Sequence, residues 1–156
     1  MIALLLAGMK DKVEAFKAGV KKRFNITDLG PIKKHLGVWY EHVKEAEVEY
    51  FRMTMEGYKK DILKEWKEIT GKDPKPAKTP GYPGESLSKN QGDEVEKENY
   101  RKLLGYLMWF TRKLMPEALN AIRDLASMYM DNPGDEHWRA MGQLIGTIAG
   151  QDEIEL

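Results

Sequence analysis

Residues 98–116, ENYRKLLGYLMWFTRKLMP, constrain the fold of this chain more than any other stretch. At 3.6 residues per turn, Tyr100, Leu103, Leu104, Leu107, Thr111 and Leu114 fall on one broad face, while Lys97, Arg101 and Lys113 fall mostly off it. Asp93 or Asn99 is placed to cap the start, and Asp93 with Glu96 has capping-box spacing. Pro116 ends the segment, because it has no amide proton and its ring clashes with the preceding turn. Two residues do not fit a plain core helix. Gly105 costs roughly 1 kcal/mol relative to Ala in a helix interior. Trp109, one turn further on, shares its stripe. Bare backbone beside an aromatic plate admits close approach by a neighbouring helix or by a ligand.

At 156 residues the chain is long enough for one domain, or one domain with an appendage, and its 42% hydrophobic content supports a core. Lys+Arg and Asp+Glu balance at 25 each, so any affinity for nucleic acid must come from a local basic surface. The absence of cysteine excludes disulfides, thiolate catalysis and zinc-ribbon sites, and suits a reducing, intracellular compartment. The opening MIALLLAG lacks a basic flank and is too short to span a bilayer, so no membrane association is expected. It reads as a buried strand ending in Gly8.

Asp11 and Glu14 have capping-box spacing before a helix with Val13, Phe16, Val20 and Phe24 on one face and Lys17, Lys21, Lys22 and Arg23 on another. Residues 1–35 carry eight basic and three acidic side chains, a net of +5. That basic face is either a solvated helix surface or a phosphate-contacting patch. After a turn at Asp28-Leu29-Gly30-Pro31, residues 36–42 and 47–55 read as two strands joined near 44–46, with Gly37 marking a bulge or a close backbone approach. Tyr58, Ile62, Leu63 and Trp66 mark a helix that stops by Gly71.

Residues 73–94 hold four of the seven prolines and read as an extended, hinge-like linker. They divide a front portion, 1–72, from a helical portion, 95–150, with an acidic tail at 151–156. Within the helical portion, Leu119, Ile122, Leu125, Ala126 and Tyr129 form the apolar face of a second helix, broken at Asn132-Pro133-Gly134. Asp135 is placed to cap a last helix bearing Trp138, Met141, Leu144, Ile145 and Ile148. Gly142, Gly146 and Gly150 repeat every fourth residue there, a smooth face for close helix packing. The fold class is therefore α+β, a small antiparallel sheet with packed helices followed by a helical bundle.

No chemistry assembles from these residues. His35, His42 and His137 are dispersed without metal-ligand spacing, and adjacent Glu41 and His42 face opposite sides of a strand. Ser86 and Ser88 have no histidine close in sequence, and Glu45, Glu47 and Glu49 sit near an exposed turn. No catalytic residue, metal site or cofactor is expected.

Taken together, the segments LLLAG, FKAGVKKRFNITDLGPIKKHLGV, YKKDILKEW, KPAKTP and ENYRKLLGYLMWFTRKLMPEALNAIRDLASMYMDNPGDEHWRAM resemble the reverse transcriptase of copia-type retrotransposons over nearly the whole chain. The resemblance implies that residues 1–66 correspond to the C-terminal palm and 95–149 to the thumb and connection. It further implies that a hairpin at Leu36-Gly37 grips a primer end, and that Gly105 and Trp109 lie in the minor groove of a template–primer duplex. An A-form-like duplex has a wide, shallow minor groove suited to a helix face.

The departures are equally informative. Where the family has two magnesium-binding aspartates before LLLAG, this chain has Ile2 and Ala3, which offer no oxygen to a hard cation. The fingers, the first palm aspartate and the ribonuclease H segment of the family have no counterpart in these residues, and basic residues expected in the last helix are replaced by Gly142 and Gly146. The expectation is a non-enzymatic chain that binds a nucleic-acid duplex through Arg101, Gly105, Trp109, the basic residues Lys17, Lys21, Lys22 and Arg23, and the Leu36-Gly37 turn. The alternative is a protein-interaction module, a homodimer or an inactive partner subunit, joined through MIALLLAG or the glycine face of the last helix.

Overall fold

A computed structural model describes residues 4, 6–81, 87–93 and 95–151. Among them are helices α1 (Lys10–Lys21), α2 (Glu56–Thr70), α3 (Lys97–Leu114), α4 (Leu119–Met128) and α5 (Asp135–Ala149), and strands β1 (Lys34–His35), β2 (Val38–Glu45) and β3 (Val48–Thr54). The architecture is α+β, with one antiparallel sheet in the order β1-β2-β3. No helix among the described residues is long and apolar enough to cross a membrane.

The core gathers around α3. All six apolar-face residues expected there are buried, joined by Phe110. Buried Thr111 donates its hydroxyl to the Leu107 carbonyl at 2.8 Å, so its polar atom is satisfied within the helix. Pro116 opens a single 3₁₀ turn that leads into α4. Ile122 and Leu125 of α4, Met141, Leu144, Ile145 and Ile148 of α5, and Ile62 of α2 complete one cluster, which Val38 and Met55 join at the base of the sheet. Gly71, at φ 69°, closes α2 in the left-handed conformation that favours glycine. Lys102 and Glu65 bridge α3 to α2 at 2.6 Å. Lys59 of α2 donates to the carbonyl of Gln151, at the end of α5 where helix carbonyls lack partners and attract a cation.

The expected caps are not used. Met9 stands at the N-cap of α1 without a side-chain bond, so Asp11 lies inside the first turn and acts on the helix dipole. Glu96, at φ 49°, precedes α3 and accepts a bond from the Asn99 side chain at 2.8 Å. Tertiary bonds set that boundary: Val95 donates its N–H to Pro133 O at 2.8 Å and accepts from Trp138 Nε1 at 2.8 Å. Gly134, not Asp135, is the N-cap of α5, and its N–H donates to Nδ1 of buried His137 at 2.8 Å.

Three further expectations are corrected. Residues 4 and 6–8 lie outside any strand and Leu4 is exposed, while positions 1–3 and 5, including Ile2 and Ala3, fall outside the described residues. Gly37 is not inside a strand: with Leu36 it forms the two-residue turn between β1 and β2, and the β2–β3 turn falls at Ala46-Glu47. The glycine face of α5 packs against a helix, α2, at Gly142 but not at Gly146. At Gly142 it receives the Trp66 ring, 3.0 Å from where a Cβ would stand, and at Gly146 the extended backbone of residues 75–77. Ala77 donates its N–H to Gly146 O at 3.0 Å, which lays this part of the proline-rich segment along α5 as a strap.

Candidate nucleic-acid interface

The partly exposed side of α3 carries Arg101, Gly105, Trp109 and Lys113, each one turn from the next. Gly105 is exposed, and a Cβ there would meet nothing within 4 Å. Among the described residues, the helix leaves its backbone bare at that point without any neighbour to receive. Trp109 is half-buried against the core, and Lys113 Nζ stands 5.0 Å from its ring centroid in cation–π geometry. Lys113, read from sequence as mostly off the apolar face, completes this outer stripe; its i+4 spacing from Trp109 is the signal that finds it.

Arg101 is held within the protein. Its Nη2 contacts Asp131 Oδ1 at 2.6 Å, its Nε donates to Met130 O at 3.2 Å, and Glu98 lies 3.9 Å away. These bonds orient the guanidinium and offset part of its charge.

The basic face of α1 stands apart, since α1 makes no substantial packing contact with any other helix or strand. Lys17 bridges Glu14 and Asp28 at 3.2 Å each, and Lys21 approaches Asp28 at 4.0 Å. The Gly30 N–H, and then Lys17, hold the Asp28 carboxyl below its ordinary value; Glu14 and then Asp28 raise Lys17. Lys22 and Arg23, with Lys21, Phe24, Asn25 and Ile26, line an open concavity at the end of the helix. No apolar residue of α1 is buried: Val13 and Val20 are half-buried, Phe16 is 50% exposed, and Phe24, just beyond the helix, is 65% exposed.

At the Leu36-Gly37 turn both residues have positive φ, 50° and 85°, as a type I′ turn requires. Glycine adopts this freely. A leucine held there costs about 1–3 kcal/mol and marks a position where backbone strain is retained. Leu36 projects 61% exposed, close in sequence to Trp39, over whose ring Lys34 Nζ sits at 4.7 Å.

The histidines remain apart. His42 stacks on Phe51 at 4.7 Å and contacts Glu49, whose carboxyl is held below its ordinary value chiefly by Lys44. His137 Nδ1 accepts the Gly134 N–H, so Nε2 carries the proton and donates to the Ser88 carbonyl at 2.9 Å. Ser88 Oγ donates to Glu136 instead, so this histidine does not meet the hydroxyl. Ser86 lies outside the described residues. Among the described residues no three His, Asp or Glu side chains converge to hold a metal.

No protein-family model matches the chain, and no solved structure matches it. Two curated proteins do. The chain is similar to the retrovirus-related Pol polyprotein from transposon TNT 1-94 of Nicotiana tabacum, 28% identical over 156 aligned positions that cover 94% of this chain. It is also similar to the retrovirus-related Pol polyprotein from transposon RE2 of Arabidopsis thaliana, 25% identical over 134 positions and 84% of this chain. The chain spans only 11% and 8% of the length of these relatives. Nearly all of this chain is thus similar to one short segment of plant transposon Pol polyproteins, which supports a retrotransposon origin.

Proposed function

We propose that the chain is a non-catalytic, reverse-transcriptase-derived segment that binds a nucleic-acid duplex on the outer stripe of α3. One observation carries this reading: Gly105 bares the helix backbone to open space, between Arg101 on one side and Trp109 with Lys113 on the other. A sugar edge approaches bare backbone more closely than any side chain would allow, the indole packs on a ribose, and Lys113 reaches a phosphate. The strained, projecting Leu36 turn supplies a second contact, as expected of a primer-gripping hairpin. Catalytic inactivity rests on the hydrocarbon side chains of Ile2 and Ala3.

Titration of a labelled RNA–DNA hybrid at low salt tests the reading. The expected outcome is binding tighter than roughly 10⁻⁴ M, the weak end of ordinary non-specific affinity, that weakens steeply with salt. Gly105→Leu weakens it by blocking the approach, and Lys113→Ala lowers the salt slope by about 1. Wild-type binding no tighter than that limit, or undiminished in Gly105→Leu, refutes the proposal.

A second reading, a protein-interaction module, is favoured by the uncovered apolar residues of α1 and of the β2–β3 ribbon. It predicts association without nucleic acid.

A further inference from the structure

Among the described residues β3 is an outer strand of the sheet. The two-residue turn makes Glu45↔Val48 a hydrogen-bonded pair, and bonded and non-bonded pairs alternate from there. Val48, Tyr50, Arg52 and Thr54 therefore direct their backbone N–H and C=O groups to β2, and Glu49, Phe51 and Met53 direct theirs outward. The β1–β2 hairpin obeys the same alternation: beyond its closing pair His35↔Val38, Tyr40 N–H donates to Lys33 O at 2.9 Å.

Several usual protections of an edge are missing from β3, whose charged residues are Glu49 and Arg52. It has no proline and no lysine, and its register with β2 runs from Val48 to Thr54 without a bulge. Val48 and Phe51 are 58% and 54% exposed, and Tyr50 is exposed beside them.

We propose that β3 pairs antiparallel with β3 of a second copy of this chain, about a two-fold axis at Phe51. This register opposes Phe51 to Phe51, Glu49 to Met53, Tyr50 to Arg52 and Val48 to Thr54. The outward groups then exchange about six backbone hydrogen bonds. Tyr50 meets a guanidinium, Val48 meets another β-branched side chain, and no like charges stand opposite. The neighbouring registers are worse. Centring on Arg52 opposes two guanidinium groups, and centring on Tyr50 sets Glu49 against Phe51 and keeps only about four of the bonds. The two Phe51–His42 stacks meet at the axis and cover each other's exposed rings.

Sedimentation velocity of the full chain without nucleic acid, at concentrations up to roughly 10⁻⁴ M, tests the assembly across the micromolar range of small interfaces. The expected species is a dimer of the 18.0 kDa chain. Phe51→Lys sets two ammonium groups opposite each other at the axis and returns the protein to a monomer with unchanged circular dichroism. The chain has no cysteine, so single substitutions report the register. Phe51→Cys cross-links with a short bis-maleimide at least about tenfold faster than Val48→Cys, because proximity makes the second step intramolecular. Two Val48→Cys sites would stand about 20 Å apart at 3.4 Å per residue. A strictly monomeric wild type, a dimer that survives Phe51→Lys, or equal cross-linking at the two positions overturns the proposal. Dimerisation without hybrid binding sinks the nucleic-acid reading and leaves this one intact.

Discussion

In α5 a Cβ at Gly146 would stand 2.2 Å from the carbonyl oxygen of Lys75, whereas in α3 a Cβ at Gly105 would meet nothing within 4 Å among the described residues. Both glycines weaken their helices by a similar amount, since each raises the chain entropy lost on folding. In α5 that cost is offset inside the molecule, where the missing side chains admit the strap and the Trp66 ring. In α3 no contact among the described residues offsets it. A helix-interior glycine with an internal contact is part of the packing. In the proposed reading, the open glycine beside a tryptophan and a lysine is instead the place where the duplex approaches.

Substitution separates the two sites. Gly146→Ala is expected to destabilise the fold by at least about 2 kcal/mol, from overpacking against the strap and loss of the Ala77 bond, read as a lowered denaturant midpoint. An unchanged midpoint would mean that the strap does not rest on α5. The buried side of α3 gives a smaller effect. Tyr100 donates its hydroxyl to Leu125 O at 3.3 Å, and Tyr100→Phe is expected to cost about 0.5–1.5 kcal/mol at neutral pH in the same measurement.

Burial also raises the Tyr100 phenol above its ordinary value of 10.0, which the unfolded chain keeps. The phenol's contribution is therefore fully present below pH 10, and it declines as pH rises from there toward the folded-state value. Stability of Tyr100→Phe should fall less steeply over that alkaline window. Some slope remains from Tyr58, which burial also raises. Equal slopes in the two proteins would place the ionising group elsewhere.

The smallest effect has the opposite sign. Gly105→Ala is expected to stabilise the protein by about 0.5–1 kcal/mol, because alanine favours helix and the site is open. A loss of stability would reveal a hidden neighbour and remove the contrast between the two glycines.

Much of the fold was legible from local pattern. The apolar face of α3, the stop at Pro116 and the left-handed close of α2 at Gly71 follow from periodicity and backbone chemistry, which act within a turn or two. Periodicity identified the apolar face of α1 equally well, yet no residue of that face is buried. A repeat of 3.6 tells which side of a helix is apolar and not whether a partner is present. The caps do not follow from spacing, which does not register bonds to distant residues such as Trp138 and Pro133, and these fix the start of α3. At the candidate interface, the Gly105–Trp109 stripe was legible, and Lys113 was recoverable from its spacing. The partners of Arg101 at Met130 and Asp131 were not, since they come from the loop after α4.

The sequence by itself determined where helices α1–α5 and the β2–β3 ribbon form, which face of α3 enters the core, and that α3 carries a bare backbone position beside an indole. These follow from interactions among residues a few positions apart. Only the tertiary structure decided that the glycines of α5 are filled while Gly105 stays open, and that β3 presents its outer edge. Whether a surface is covered depends on chain segments far away in sequence, and no local pattern encodes where those segments come to rest.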